Sequence, residues 1–173
     1  MDQKDRRVEF DRVALPHLDA AYNVARWLMR HDHDAEDAVQ EAYLRAFQFF
    51  HSFHGDTGRA WILQIVRNTC FTRMAARQAS EMSRETAEIL DVAAAGDANP
   101  ATVIERREER QVLLAAIDDL PIEFREVIVL RELEELSYKE IARVAEVPIG
   151  TVMSRLARAR ERLHEILESG MKG

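Results

Sequence analysis

Four arginines, Arg59, Arg67, Arg73 and Arg77, stand in a stretch, residues 57–80, that holds no aspartate or glutamate. A second basic island spans residues 149–163, where Arg155, Arg158, Arg160 and Arg162 face Glu161 alone. Guanidinium groups at this density suit phosphate, because a planar fork of donors matches the phosphate oxygens. Two islands therefore point to two separate contacts with a polyanion. Other chemistry is thinly supplied. Cys70 is the only cysteine, so it has neither a disulfide partner nor a cysteine-based metal site. His31 and His33 are two apart, a spacing that does not share a helical face, and neither they nor His51 and His54 come with a third ligand at metal spacing. No phosphate loop or serine elbow is present, and pairs such as Glu134 and Glu135 read most simply as solvated carboxylates.

The net charge of −7 argues against nucleic acid until the charges are placed along the chain. Residues 31–41 hold Asp32, Asp34, Glu36, Asp37 and Glu41 with no lysine or arginine, and residues 118–140 hold eight acids against Arg125, Arg131 and Lys139. Acidic and basic surfaces are thus segregated. The basic ones are expected to meet a polyanion, and the acidic ones to meet something else.

These side chains need helices to present them. Glycine and proline are scarce, at 6 and 4 of 173 residues, and apolar residues recur at helical spacing. In residues 34–53 the stripe is Ala35, Ala38, Val39, Ala42, Ala46, Phe49, Phe50 and Phe53, with Asp34 as the expected N-cap. Residues 8–29 read as one or two helices interrupted near Pro16. After a turn at residues 55–58, residues 59–77 read as a central helix, apolar on most sides. Residues 81–102 are too polar to build a core and read as a flexible linker. Beyond it come an amphipathic helix over 103–118, a break at Leu120-Pro121 and a helix over 122–133. Ser137-Tyr-Lys-Glu140 is a capping box, followed by Ile141, Ala142 and Ala145 facing inward. A further helix opens at Ile149, with Val152, Leu156, Ala159 and Leu163 on its buried side, so Met153, Ser154, Ala157, Arg158 and Arg160 or Arg162 point outward. The fold class is all-α: two small helical domains, residues 1–80 and 103–173, the second a helix-turn-helix. Second helices of such motifs enter the DNA major groove.

Two stretches resemble a known family. Leu120-Pro-x-x-x-Arg125-x-Val127-x-x-Leu130-Arg131, Leu136-Ser-Tyr-Lys-Glu-Ile-Ala142 and Val147-Pro-Ile-Gly-Thr-Val-Met-Ser-Arg155-Leu-x-Arg158-Ala-Arg160-x-x-Leu163 resemble region 4 of bacterial sigma factors of the extracytoplasmic-function (ECF) type, in the sigma-70 family. Asp34-Ala-Glu-Asp-Ala-Val-Gln40-Glu41-Ala-Tyr-Leu-Arg-Ala-Phe47 and Trp61-Ile-Leu-x-Ile-Val-Arg67-Asn68-Thr69 resemble their region 2. Together the matches take in about 130 of 173 residues, in the family's order.

The resemblance implies a factor that binds core RNA polymerase and directs initiation at promoters with particular -10 and -35 elements. Asp34, Asp37, Gln40 and Glu41 become the expected contacts to the polymerase beta-prime coiled coil, with the beta flap as the other contact. The -10 element, captured as a single strand, falls to His54, Gly55, Asp56, Arg59, Arg67, Asn68 and Arg73. Trp61 and Phe71 could stack on bases or pack in the core, and their apolar neighbours favour the core. The -35 duplex falls to Thr151, Met153, Ser154, Arg155, Ala157, Arg158, Arg160 and Arg162. Arg158 is the expected guanine reader, whereas Met153 departs from the Lys or Arg of many members and offers only apolar contact. An anti-sigma factor is the expected regulator.

A dimeric helix-turn-helix regulator working without polymerase is the other reading of the basic helix, but it leaves residues 34–41 and the first basic island without a role. Neither a cofactor nor catalysis is expected. The longest apolar run, residues 112–117, is far short of the ~20 residues of a membrane span, and the start lacks a signal-peptide core, so the expected location is cytoplasmic, with no membrane contact.

Overall fold

The structure, a computed structural model, describes residues 2–55, 57–83 and 104–171. Helix α1 (Gln3–Ala14) passes through a 3-10 turn at Leu15–His17 into α2 (Leu18–Met29), the break falling at Pro16 as its missing N–H requires. Arg30 closes α2 in the left-handed conformation, and α3 (Asp32–Gln48) follows at once. A second 3-10 turn, Phe50–Ser52, leads to α4 (Gly58–Ser83). The C-terminal helices are α5 (Ile104–Asp118), α6 (Ile122–Ile128), α7 (Tyr138–Ala145) and α8 (Ile149–Met171). Between α6 and α7 the backbone widens into a π-helical turn, Val129–Leu133. No strand occurs among the described residues.

The N-terminal domain is a bundle in which α2 and α3 clasp α4, with α1 laid across them. Alanines let the helices approach closely. Ala35, Ala38, Ala42 and Ala46 of α3 are fully buried, as are Ile62, Leu63 and Val66 of α4. At one end the core turns aromatic: the Phe10 ring meets Phe47 edge-on at 5.3 Å and Phe50 at 5.5 Å, and Phe53 lies 5.0 Å from Trp61. Such pairs add about 0.5–1.5 kcal/mol each beyond burial. Trp61 is therefore a core residue.

In the C-terminal domain α6 and α8 form the main contact, with α7 against α8. The capping box at Ser137 is formed in both directions: Ser137 Oγ accepts from the Glu140 N–H at 3.1 Å, and the Ser137 N–H donates to Glu140 Oε1 at 3.0 Å. Val152, Leu156 and Ala159 are buried and Leu163 is half-buried.

The structure corrects several expectations. Helix α3 starts at Asp32 with His31 at the N-cap, so Asp34 lies within the first turn instead of capping it. The phenylalanine stripe outlasts its helix: α3 ends at Gln48, Phe49 is exposed, and only Phe50 and Phe53 turn back to the core. Gly58 opens α4, because a Cβ there would sit 2.7 Å from Val13 Cγ1 and 2.8 Å from its carbonyl oxygen. The helix expected over 122–133 is regular only to Ile128. In α7 it is Val144 that is buried, while Ala142 is half-buried. Helix α4 extends to Ser83, and most of the expected linker, 84–102, lies outside the described residues.

Candidate nucleic-acid and polymerase interfaces

Helix α8 presents the second basic island as expected. With Val152, Leu156 and Ala159 buried, the opposite side shows Met153, Ser154, Ala157 and Arg158 to solvent, flanked by half-buried Thr151 and Arg155. Ser154 Oγ donates to the Thr151 carbonyl at 3.1 Å, an ordinary helical back-bond that leaves the hydroxyl near the surface. Arg158 is exposed, and among the described residues no acid pairs with it. Arg160 differs: it reaches back to Glu132 of the π-helical turn at 2.8 Å, and that hydrogen bond raises its pKa further. Arg162 lies 3.5 Å from Glu165 on the same helix.

The first basic island lies along α4, and its cations are not free. Arg59 Nη2 donates to both carboxylate oxygens of Glu140 at 3.0 Å. Arg67 Nε donates to Glu126 Oε1 at 2.6 Å while its guanidinium lies 3.9 Å over the Phe71 ring. Asn68 Nδ2 donates to Glu146 at 3.0 Å, and Gln64 Nε2 to the same oxygen at 2.8 Å. His54 and Gly55 are exposed in the loop before α4, where Gly55, Thr57 and Ala60 share a cavity with Lys139, Glu140 and Arg143 of α7. Asp56 lies outside the described residues. Phe71, half-buried beneath Arg67, has its ring face taken by that guanidinium.

The acidic stretch of α3 turns toward the other end of α4. Arg73 lies 3.5 Å from Glu41 and 3.9 Å from Asp37, and Arg77 donates to Asp34. Gln40 is exposed and lines an open groove with Leu18, Tyr22, Glu36, Val39 and Tyr43. Thus Asp34, Asp37 and Glu41, expected to face an external partner, already carry arginines of their own domain on one side, and only Gln40 looks wholly outward.

Three acidic residues opposite α4, Glu126, Glu140 and Glu146, and Gln64 on α4 itself escaped the sequence reading as site residues. The Glu126 side chain is 0% exposed and Arg67 18%. Burial pushes the Glu126 carboxyl up, opposed by its hydrogen bond from Arg67. Burial also acts on Glu140, but hydrogen bonds from Ser137 and Arg59 outweigh it and hold the carboxyl below its usual range. Hydrogen bonds from Asn68 and Gln64 do the same for Glu146. The signal that could have found Glu126 and Glu140 was the acid excess of residues 118–140 set against the bare basic island of 57–80; Glu146 and Gln64 lie outside it.

Comparison with known proteins gives two family matches, Sigma-70 region 2 over residues 14–80 and Sigma-70 region 4 over residues 110–163. The chain is 37% identical over 135 residues to the ECF RNA polymerase sigma-E factor of Escherichia coli K12, taking in 74% of this chain and 71% of that one. It is 35% identical over 158 residues to the ECF RNA polymerase sigma factor SigE of Mycolicibacterium smegmatis, spanning 91% of this chain but 61% of that relative's length. Among solved structures, the sigma factor RpoE in complex with the anti-sigma factor NepR from Bartonella quintana matches with a TM-score of 0.75 and 29% identity over 92% of this chain and 97% of that one. CnrH in complex with the cytosolic domain of CnrY shares the fold, with a TM-score of 0.65 at 23% identity over 94% and 90% of the two chains.

Proposed function

The chain belongs to the sigma-70 family, in its extracytoplasmic-function branch, and on that premise we propose that it binds core RNA polymerase and directs initiation at promoters chosen by their -10 and -35 elements. The observation that carries this reading is the open face of α8: four outward residues, Met153, Ser154, Ala157 and Arg158, flanked by Thr151 and Arg155, on the second helix of a helix-turn-helix. In it, Arg158 reads a base edge, Met153 makes apolar contact such as with a thymine methyl, and Thr151, Arg155, Arg160 and Arg162 hold the backbone. Arg160 must leave Glu132 to do so.

On the N-terminal side, Arg59, Arg67, Asn68 and Arg73 of α4, with the loop at His54, Gly55 and Asp56, take the unpaired -10 strand, cations along its backbone. Gln40, with Asp34, Asp37 and Glu41 beside it, meets a basic surface of the polymerase, where opposite charge speeds encounter and fixes register. The apolar groove beside Gln40 supports that docking face. In this reading the chain supplies no chemistry; the polymerase holds the catalytic centre and its magnesium. Among the described residues no helix is long and apolar enough to cross a membrane, which fits work in the cytoplasm. RpoE of Bartonella quintana is held by an anti-sigma factor, and we extend control by a protein of that kind to this chain.

A pair of variants tests the division of labour. Arg158→Ala is expected to weaken binding to -35 duplex by about 1–3 kcal/mol and leave core-polymerase affinity unchanged. Asp37→Ala with Glu41→Ala is expected to do the reverse. Equal loss of both activities in both proteins would sink the assignment.

A further inference from the structure

Of the four arginines in the basic island of α8, only Arg160 is ion-paired, among the described residues, with an acid outside its own helix. Its Nη2 donates to Glu132 Oε1 at 2.8 Å, and the Tyr138 phenol accepts from the same guanidinium. Backbone geometry puts Glu132 there. In the π-helical turn Val129–Leu133 the hydrogen bonds span five residues, as from the Glu134 N–H to the Val129 carbonyl at 3.0 Å, so its side chains leave the register of α6. Val129 and Leu130 anchor the turn in the core. Arg131 braces it, donating to the Leu136 carbonyl at 2.8 Å with its guanidinium 4.7 Å over the Tyr138 ring. A carboxylate on a turn held in this way has a fixed place beside α8.

A carboxylate and a phosphate offer a guanidinium the same thing, paired anionic oxygens. While Arg160 stands on Glu132 it holds no phosphate, and the island presents one cation fewer to DNA. The Arg160 and Glu132 side chains are 49% and 51% exposed, so the pair stands in water and is weak. It is therefore exchangeable: a phosphate placed to suit Arg160 displaces Glu132, and one placed badly does not. Binding that ignores sequence rests almost wholly on backbone cations, so the loss of one shows there first. We propose that Glu132 is an internal competitor for Arg160 that limits sequence-independent binding of α8 to duplex DNA. This rests on the reading of α8 as the helix that lies on the duplex. It gives a role to an acid that neither packs in the core nor faces a groove.

The test uses the full chain and a short fluorescein-labelled duplex of random sequence, with anisotropy read over a series of salt concentrations. Glu132→Gln keeps the shape of the side chain and removes its charge. It is expected to bind the duplex about two- to fivefold tighter, and to steepen the fall of log K with log salt by about one. Arg160→Ala is expected to weaken binding, and Glu132→Gln added to it to restore nothing. Glu135→Gln, at an exposed acid of the same connection, makes the same change in net charge and is expected to leave affinity nearly unchanged. A gain from Glu132→Gln that persists without Arg160, or that Glu135→Gln matches, comes from net charge and overturns the competitor. Weaker binding overturns it by making Glu132 a support for Arg160, and unchanged affinity and slope overturn it outright. Should Arg158→Ala and Arg160→Ala both bind as tightly as the wild type, the fault lies in the DNA reading of α8, and the competitor falls with it.

Discussion

Cys70 shows at the residue scale how much a single burial decides. Its thiol is fully buried on α4, on the same face as Val66 and Ile62 one and two turns earlier, and burial pushes its pKa from 9 up to about 12. The thiolate is the reactive form, so the folded protein is expected to resist iodoacetamide at pH 8 and to be alkylated rapidly in denaturant. Equal rates in the two conditions would contradict the packing. The sign of the linkage follows: above the ordinary thiol value the unfolded chain releases a proton that the folded one keeps, so Cys70 costs stability as pH rises from 9 toward 12. The same residue-scale logic separates Arg158 from Arg160. Both sit in one basic island, but only the first is unpaired among the described residues, a distinction that lies in the Glu132 side chain 28 positions away and not in α8 itself.

Helices were the most legible part of the sequence, and their ends the least. The interruption at Pro16, the capping box at Ser137 and the buried side of α8 all follow from local rules: a missing N–H, a reciprocal pair of hydrogen bonds, a spacing of three and four. The end of α3 does not. Phe49 continues the periodic pattern, yet the chain leaves the helix one residue earlier and spends Phe50 and Phe53 on Trp61 instead, a tertiary choice that periodicity cannot anticipate. Gly58 likewise reads as a turn glycine, whereas its reason is the closeness of α1. Gly58→Ala is expected to destabilise the N-terminal domain by about 1–3 kcal/mol, because Val13 side chain and backbone must both yield. Gly150→Ala, with nothing within 4 Å of the added methyl near the start of α8, is expected to be neutral or stabilising by about 0.5–1 kcal/mol. Thermal unfolding of the two variants checks both; a reversed order would show that α1 does not press on α4 as described.

For the whole molecule, the charge segregation was visible but its meaning was not. Residues 57–80 and 118–140 announce complementary surfaces, and composition alone assigns each to an outside partner. Folding brings Arg67 to Glu126 across 59 positions and Arg59 to Glu140 across 81, pairings that no local pattern encodes. The positions of the candidate site residues on α3, α4 and α8 were legible because two motifs carried them in order; their pairing inside the chain was not, because it depends on how the helices lie together. Under the proposed function, core-polymerase recruitment, strand capture by α4 and duplex reading by α8 are three parts of one activity, and one measurement joins them. Run-off transcription with the purified chain and bacterial core polymerase, on genomic fragments from the source organism and against core alone, is predicted to give discrete new start sites that require the chain and share upstream -10 and -35 sequences. Transcripts unchanged from core alone, with no co-migration of chain and core and no anti-sigma factor in the preparation, would contradict the account.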